Sequence, residues 1–186
     1  MSREAILESA AQVIRQKGFH GASMADIAEA VQLQKASLYH HFSSKQDILL
    51  ELLDRALALV TESMAQVMAL DLPADEKLRL AMRSYLQTLS EQGDLVSVLL
   101  LEHRSLDIDN QSRHIPNRDR FENMWRALIQ EGVDTGVFAC DNIPMSARGV
   151  MGVMNWTITW YRPDGKLTID EIADHFADML MNGLKK

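Results

Sequence analysis

Residues 33–45 read "LQKASLYHHFSSK". Leu38 and Phe42 stand one helical turn apart, so a short helix over about 35–41 turns both inward. Lys35, Ser37, Tyr39 and His40 are then left outward, with Gln34 and Ala36 at the leading edge. Just upstream, "SMAD" at 23–26 has the form of a capping box, in which Ser23 caps and Asp26 answers three residues later. It opens a helix to about Ala30 with Met24, Ile27, Ala28 and Val31 facing inward. "VQLQ" separates the two short helices. Before them, Ile6, Ala10, Val13 and Ile14 form one stripe on a helix from about 3 to 17, which Gly18 ends after Lys17. Two short helices joined by about four residues and backed by a third make a helix-turn-helix.

The outward face is small, polar and aromatic at once, which suits the major groove of double-stranded DNA. Lys, Gln and Ser hydrogen-bond base edges or phosphates, and Tyr reaches either. The helix N-termini at Ser23 and Ser44 offer backbone N–H groups to phosphates, and Lys45 adds a charge beside one. The adjacent His40 and His41 suggest a metal at first sight. Consecutive residues on a helix diverge, and no second pair lies at useful spacing, so no metal is expected. A helical hairpin serving only as scaffold is the remaining alternative.

The balance of charge agrees with a DNA-facing N-terminus. The chain of 186 residues has a net charge of −7, which argues against a protein that coats nucleic acid uniformly. Residues 1–47, however, hold five basic and five acidic side chains, so the whole deficit lies beyond them. An anionic partner is expected to meet the N-terminal quarter. One cysteine, Cys140, excludes an internal disulfide and fits a reducing cytoplasm. The first 20 residues lack a signal-peptide core, and "LVSVLLL" at 95–101 is too short to span a bilayer, so no membrane is expected.

Helical spacing continues downstream, and no segment alternates with period two. "SSKQD" at 43–47 repeats the capping-box form and opens a long helix to about Leu70. Another starts near Ala74 and closes at "SEQGD" (90–94), and a further one runs to about Leu106. "DIDNQSRHIPNRD" (107–119) is the most polar segment and reads as a loop, after which Asn117 caps a helix to Thr135–Gly136. Pro144 sits in the first turn of a helix to about Tyr161, "RPDG" (162–165) is a turn, and "TIDE" (168–171) caps the last helix. The expectation is an all-α protein of about nine helices, with a DNA-binding domain over 1–46 and an effector-binding and dimerisation domain over 47–186.

Residues 6–50 resemble the N-terminal domain of the TetR family of bacterial transcriptional regulators. The resemblance rests on "GFHGASMADIAEAV" and "LQKASLYHHFSSKQDIL", above all on Leu-Tyr-x-His-Phe followed by Lys. It implies that Ser23, Tyr39 and Lys45 contact phosphates and that Gln34, Lys35, Ser37 and His40 lie where bases are read. Two positions depart from the family pattern. Gln32 stands where Gly is frequent and is expected in a left-handed backbone, and Ala36 stands where Gly or Pro is common.

One reading head covers half a site, so a homodimer on a palindromic operator is expected. Helix 144–161 is apolar on more than one face and needs cover on several sides. A partner subunit supplies it most simply, with an internal core helix as the alternative. Val153, Trp156, Trp160, Ile172, Phe176 and Met179 are the expected interface. The resemblance further implies an effector pocket among the middle helices. Leu100, Arg104, Phe121, Trp125, Met151, Met154, Asn155 and Thr159 are its candidates, although each apolar one serves equally well as core. Asn155 and Thr159 stand out as polar residues one turn apart in an apolar helix, since buried Asn needs a partner.

"MNWTITWYRPDG" (154–165) and "MWRALIQEGVDTGVF" (124–138) are similar to the subgroup of the family that responds to acyl-CoA thioesters. Phosphates of such an effector need cations, and Arg104, Arg113, Arg118, Arg120, Arg126, Arg148 and Arg162 are available. The mechanism expected is a shift in population between two spacings of the reading heads, pivoted through helix 45–70. Gly-rich phosphate loops, zinc-ligand spacings and GxSxG are absent from the sequence, so neither an enzyme nor a cofactor is expected. The rival is a helix-turn-helix regulator without a small-molecule effector, controlled by a protein partner or its own abundance.

Overall fold

The computed structural model describes residues 2–184. Nine α-helices and no strand are found among them: α1 (Arg3–Gly21), α2 (Met24–Ala30), α3 (Lys35–Tyr39), α4 (Lys45–Met68), α5 (Ala74–Glu91), α6 (Gly93–Glu102), α7 (Ile108–Asp134), α8 (Ile143–Trp156) and α9 (Ile169–Leu184). Tight 3₁₀ turns follow α6 at His103–Ser105 and α8 at Thr157–Thr159. The all-α expectation holds. The chain forms two compact units, residues 1–58 with 92–117 and residues 59–91 with 118–186.

In the first unit α1 packs on α2 and α6. Its stripe of Ile6, Ala10 and Ile14 is fully buried. Gly18 breaks the helix with φ +71°, a conformation glycine adopts without strain. The break turns the backbone N–H of Phe19 toward Glu102 Oε1 at 3.1 Å. Ser105 Oγ holds the other carboxylate oxygen of Glu102 at 3.0 Å. The reading head is thereby fixed to the end of α6.

In the second unit α5 and α9 lie antiparallel. Arg79 reaches Asp178, Arg83 reaches Asp174 and Gln87 reaches Asp170, so one helix climbs by four residues as the other descends by four. Beneath this polar edge Leu78, Met82, Leu86 and Leu89 from α5 and Ile172, Ala173 and Ala177 from α9 are buried. Ile172 is accordingly corrected from an interface position to the core of its own chain, because α9 spends that face on α5.

Two further expectations fail. Residues 108–119 are not a loop but the start of α7. Asp107 caps it, accepting from the backbone N–H of Asn110 at 2.9 Å. Asn110 and His114, one turn apart, are buried polar residues rather than solvated ones, and His114 Nδ1 pairs with Asp54 Oδ1 at 3.0 Å. Asn117 therefore lies inside the helix and caps nothing. In turn, α8 ends at Trp156 rather than near Tyr161. Thr159 falls in the 3₁₀ turn, is exposed, and donates its hydroxyl to the carbonyl of Trp156 at 2.7 Å. The expected helical pair of Asn155 and Thr159 does not form. Thr157 is the buried threonine instead, donating to the Val153 carbonyl at 3.2 Å.

Candidate functional site

The first candidate site is the outward face of α3. Leu38 and Phe42 are buried, as their spacing requires, which leaves Gln34, Lys35, Ala36, Tyr39 and His40 exposed and Ser37 half-buried. Tyr39 is 47% exposed, a large share for an aromatic ring with no covering neighbour. The Lys35 ammonium lies 5.9 Å from the centre of that ring. Gln34 occupies the cap position of α3 without a side-chain capping bond, so its amide makes no bond to the helix end. Gln32 takes φ +55° in the turn between α2 and α3, as expected for that position.

The flanking groups are more committed than the sequence implied. Ser23 accepts from the Asp26 backbone N–H at 3.1 Å, and its own backbone N–H donates to Asp26 Oδ2 at 2.8 Å. The Lys17 ammonium and the Ser23 hydroxyl both hold the Asp26 carboxyl well below the usual carboxylate range. Lys45 donates to the carbonyls of Phe19 and Ala22, each at 2.6 Å, with its ammonium 4.3 Å from the centre of the Phe19 ring. Two of its three donors thus pin α4 to the segment after Gly18. One donor is left over.

The second candidate site is the interior of the second unit. Phe121 and Trp125, one turn apart on α7, meet Tyr85 of α5 in a triad with ring centres 6.1 to 6.4 Å apart. Such edge and offset contacts favour a fixed arrangement. The Tyr85 hydroxyl donates to Asn155 Oδ1 at 2.6 Å. Burial pushes the Tyr85 phenol above its ordinary range, so it stays protonated and remains a donor. The Trp125 indole N–H is buried and meets no acceptor, an unusual cost for a native interior. Met154 is fully buried and Met151 half-buried on α8. Together these groups offer apolar contact and an unused hydrogen-bond donor, which is the chemistry that receives a carbonyl on an apolar body.

Not every effector candidate joins this cluster. Leu100 and Arg104 belong to the first unit, and Arg104 is exposed. Tyr85 was missed from the sequence, although its signal is present. It lies among Leu78, Ala81, Met82, Leu86 and Leu89 on the inward stripe of α5, where a hydroxyl needs a partner. Of the expected interface, Trp156 is 67% exposed, Trp160 42% and Met179 48%, while Val153 and Phe176 are half-buried. Trp156 at the end of α8, Trp160 just after it and Met179 of α9 therefore stay largely uncovered by this chain.

Family models match both parts of the chain. Residues 6–52 match the family model described as bacterial regulatory proteins, tetR family. Residues 71–184 match that described as tetracyclin repressor-like, C-terminal domain. The chain is similar to the TetR family transcriptional regulator PfmR from Thermus thermophilus. Identity is 34%, the match covers 97% of this chain and 99% of that one, and the TM-score is 0.89. It is also similar to AibR in complex with isovaleryl coenzyme A and operator DNA, with 28% identity, 96% and 97% coverage and a TM-score of 0.89. The HTH-type transcriptional repressor KstR2 of Rhodococcus jostii (strain RHA1) is 24% identical, over 98% of this chain and 90% of the relative. With family matches at both ends and a common fold along nearly its whole length, the chain belongs to the TetR family of bacterial regulatory proteins.

Proposed function

We propose that this protein is a ligand-responsive transcriptional repressor that binds a palindromic operator as a homodimer and changes its DNA affinity when an acyl-CoA occupies the second unit. It works in the cytoplasm by binding alone, without a catalytic step. The observation that carries this reading is the pairing, in one chain, of the uncovered face of α3 with a buried donor cluster. Its likeness to a regulator seen with both operator DNA and isovaleryl coenzyme A supports it.

Residues 1–46 form the reading head. Gln34, Lys35, Ser37 and His40 approach base edges, and Ser23, Tyr39 and the remaining donor of Lys45 approach phosphates. Residues 47–186 bind effector and partner. The acyl portion lies against Phe121, Met151 and Met154, and its thioester carbonyl accepts from the Trp125 indole near the Tyr85–Asn155 pair. Val153, Trp156, Trp160, Phe176 and Met179 cover one another across the dimer. Effector shifts the population of dimers between two spacings of the heads, by as much as its affinity differs between them.

Native mass spectrometry of the protein purified from bacteria, followed by thermal unfolding against acyl-CoAs of four to sixteen carbons, tests this. A dimer carrying a thioester, or a chain-length-dependent rise in melting temperature, is expected. A dimer with no bound mass and no shift points instead to a regulator without a small-molecule effector.

A further inference from the structure

Seven arginines were available in the sequence to meet phosphates. Three of them, Arg118, Arg126 and Arg148, line a single recess of about 330 Å³ in the second unit, together with Asp119, Glu122 and Asn123. Arg148 of α8 donates from Nε to Glu122 Oε1 at 3.2 Å, and Arg126 donates to the same oxygen from one turn along α7. Arg126 also reaches Asn123 Oδ1 at 3.4 Å, and its buried Nε has no partner. Arg118 pairs with its neighbour Asp119 at 3.0 Å, both side chains about half exposed.

Two guanidinium groups converging on one carboxylate oxygen leave positive charge in excess, within a chain of net charge −7. Glu122 there holds a place that an oxygen of a polyanion fits, and the planar donors of arginine suit a phosphate better than lysine would. The setting adds a second constraint. Glu122 and Arg126 directly follow Phe121 and Trp125 on α7, and Arg148, Met151 and Asn155 stand at i, i+3 and i+7 on α8. The two helices that bring apolar and carbonyl-binding groups to the interior thus bring the arginines together one residue or one turn away. A ligand with an apolar tail and a phosphorylated head matches that order.

We propose that this recess receives phosphate groups of the coenzyme A portion of the effector, an assignment that rests on the acyl-CoA reading above. Arg148 and Arg118 are exposed enough to be changed without loss of the fold, their side chains being 62% and 47% exposed. The full-length protein is titrated calorimetrically with octanoyl-CoA and with S-octanoyl-pantetheine, which keeps the acyl chain and thioester but lacks every phosphate. Arg148→Gln and Arg118→Gln should each weaken octanoyl-CoA about 5- to 10-fold, as expected for a lost charge-assisted contact, and leave the pantetheine thioester unchanged. Tight octanoyl-CoA binding that neither variant alters overturns the recess and leaves the acyl-CoA reading intact. Equal losses for both thioesters overturn it too, because the arginines then act on the fold. If neither octanoyl-CoA nor its C4 and C16 counterparts bind the unaltered protein, both the recess and the reading fall.

Discussion

Gln32 holds φ +55° at the turn that sets α3 against α2, a region costing a side-chain-bearing residue about 1–2 kcal/mol. Gln32→Gly should remove that strain at a smaller entropic cost and raise stability by up to about 1 kcal/mol. Chemical denaturation checks it, and a loss of stability would mean that the Gln32 side chain makes a contact worth more than the strain. Seven residues on, Tyr39 presents its ring to solvent beside Lys35. Tyr39→Ala should weaken binding to all DNA sequences alike, whereas Lys35→Ala should act chiefly on sequence preference. Binding curves on operator and random duplex separate these effects, and no effect of either in a folded dimer would mean that α3 is not the reading helix. Much at this scale was legible, since capping boxes, Gly18 and the Leu38–Phe42 spacing are local signals. The commitment of Lys45 to the carbonyls of Phe19 and Ala22 was not, because those partners lie more than twenty residues away.

Helices betray themselves through periodicity, so α2, α5 and α9 start where their caps fall in the sequence. The start of α7 was hidden for a physical reason. Its buried face consists of Asn110 and His114, whose side chains reach Asp107 and Asp54 and so carry no apolar stripe. The end of α7 depends on two glycines. Gly136 turns the chain at φ +74°, and Phe138 folds back with its ring 2.1 Å from where a side-chain carbon on Gly132 would stand. Gly132→Ala should therefore displace the buried Phe138 and cost about 1–3 kcal/mol, seen as a lowered melting temperature. An unchanged temperature would mean that the ring has room to move.

The antiparallel contact of α5 with α9 has its own pH signature. Arg83, and then Arg79, hold the Asp174 carboxyl below its ordinary range. A carboxyl lowered on folding stabilises the native state above its unfolded pKa, near 4, and loses that contribution as pH falls below it. Asp174→Asn should thus lower stability at pH 7 by less than about 1 kcal/mol, the pair being partly exposed and screened. The difference should shrink as pH falls below about 4 and disappear only once Asp174 is protonated in the folded protein as well. A constant difference across that range would show that the ion pair is not its source.

At the scale of the molecule, two properties belong to no single helix. The net negative charge lies entirely beyond residue 47, so the reading head meets DNA with the rest of the chain repelled by it, and affinity should fall as salt rises. Large apolar side chains of α8 and α9 stand uncovered at Met145, Trp156 and Met179, which a second copy of the chain would cover. The class of fold and the existence of a reading head were legible from one sequence. Which apolar residues form the interior around Tyr85, and which arginines come together, depended on tertiary placement that periodicity does not encode. One ligand is expected to govern the DNA affinity of this dimer. Fluorescence anisotropy of a palindromic duplex, selected by the protein from random DNA and titrated with and without the best-bound acyl-CoA, tests it most directly. Two protomers per duplex and an effector-dependent change in affinity of roughly 5- to 150-fold are predicted. An affinity that stays the same while acyl-CoA is shown to be bound would contradict it.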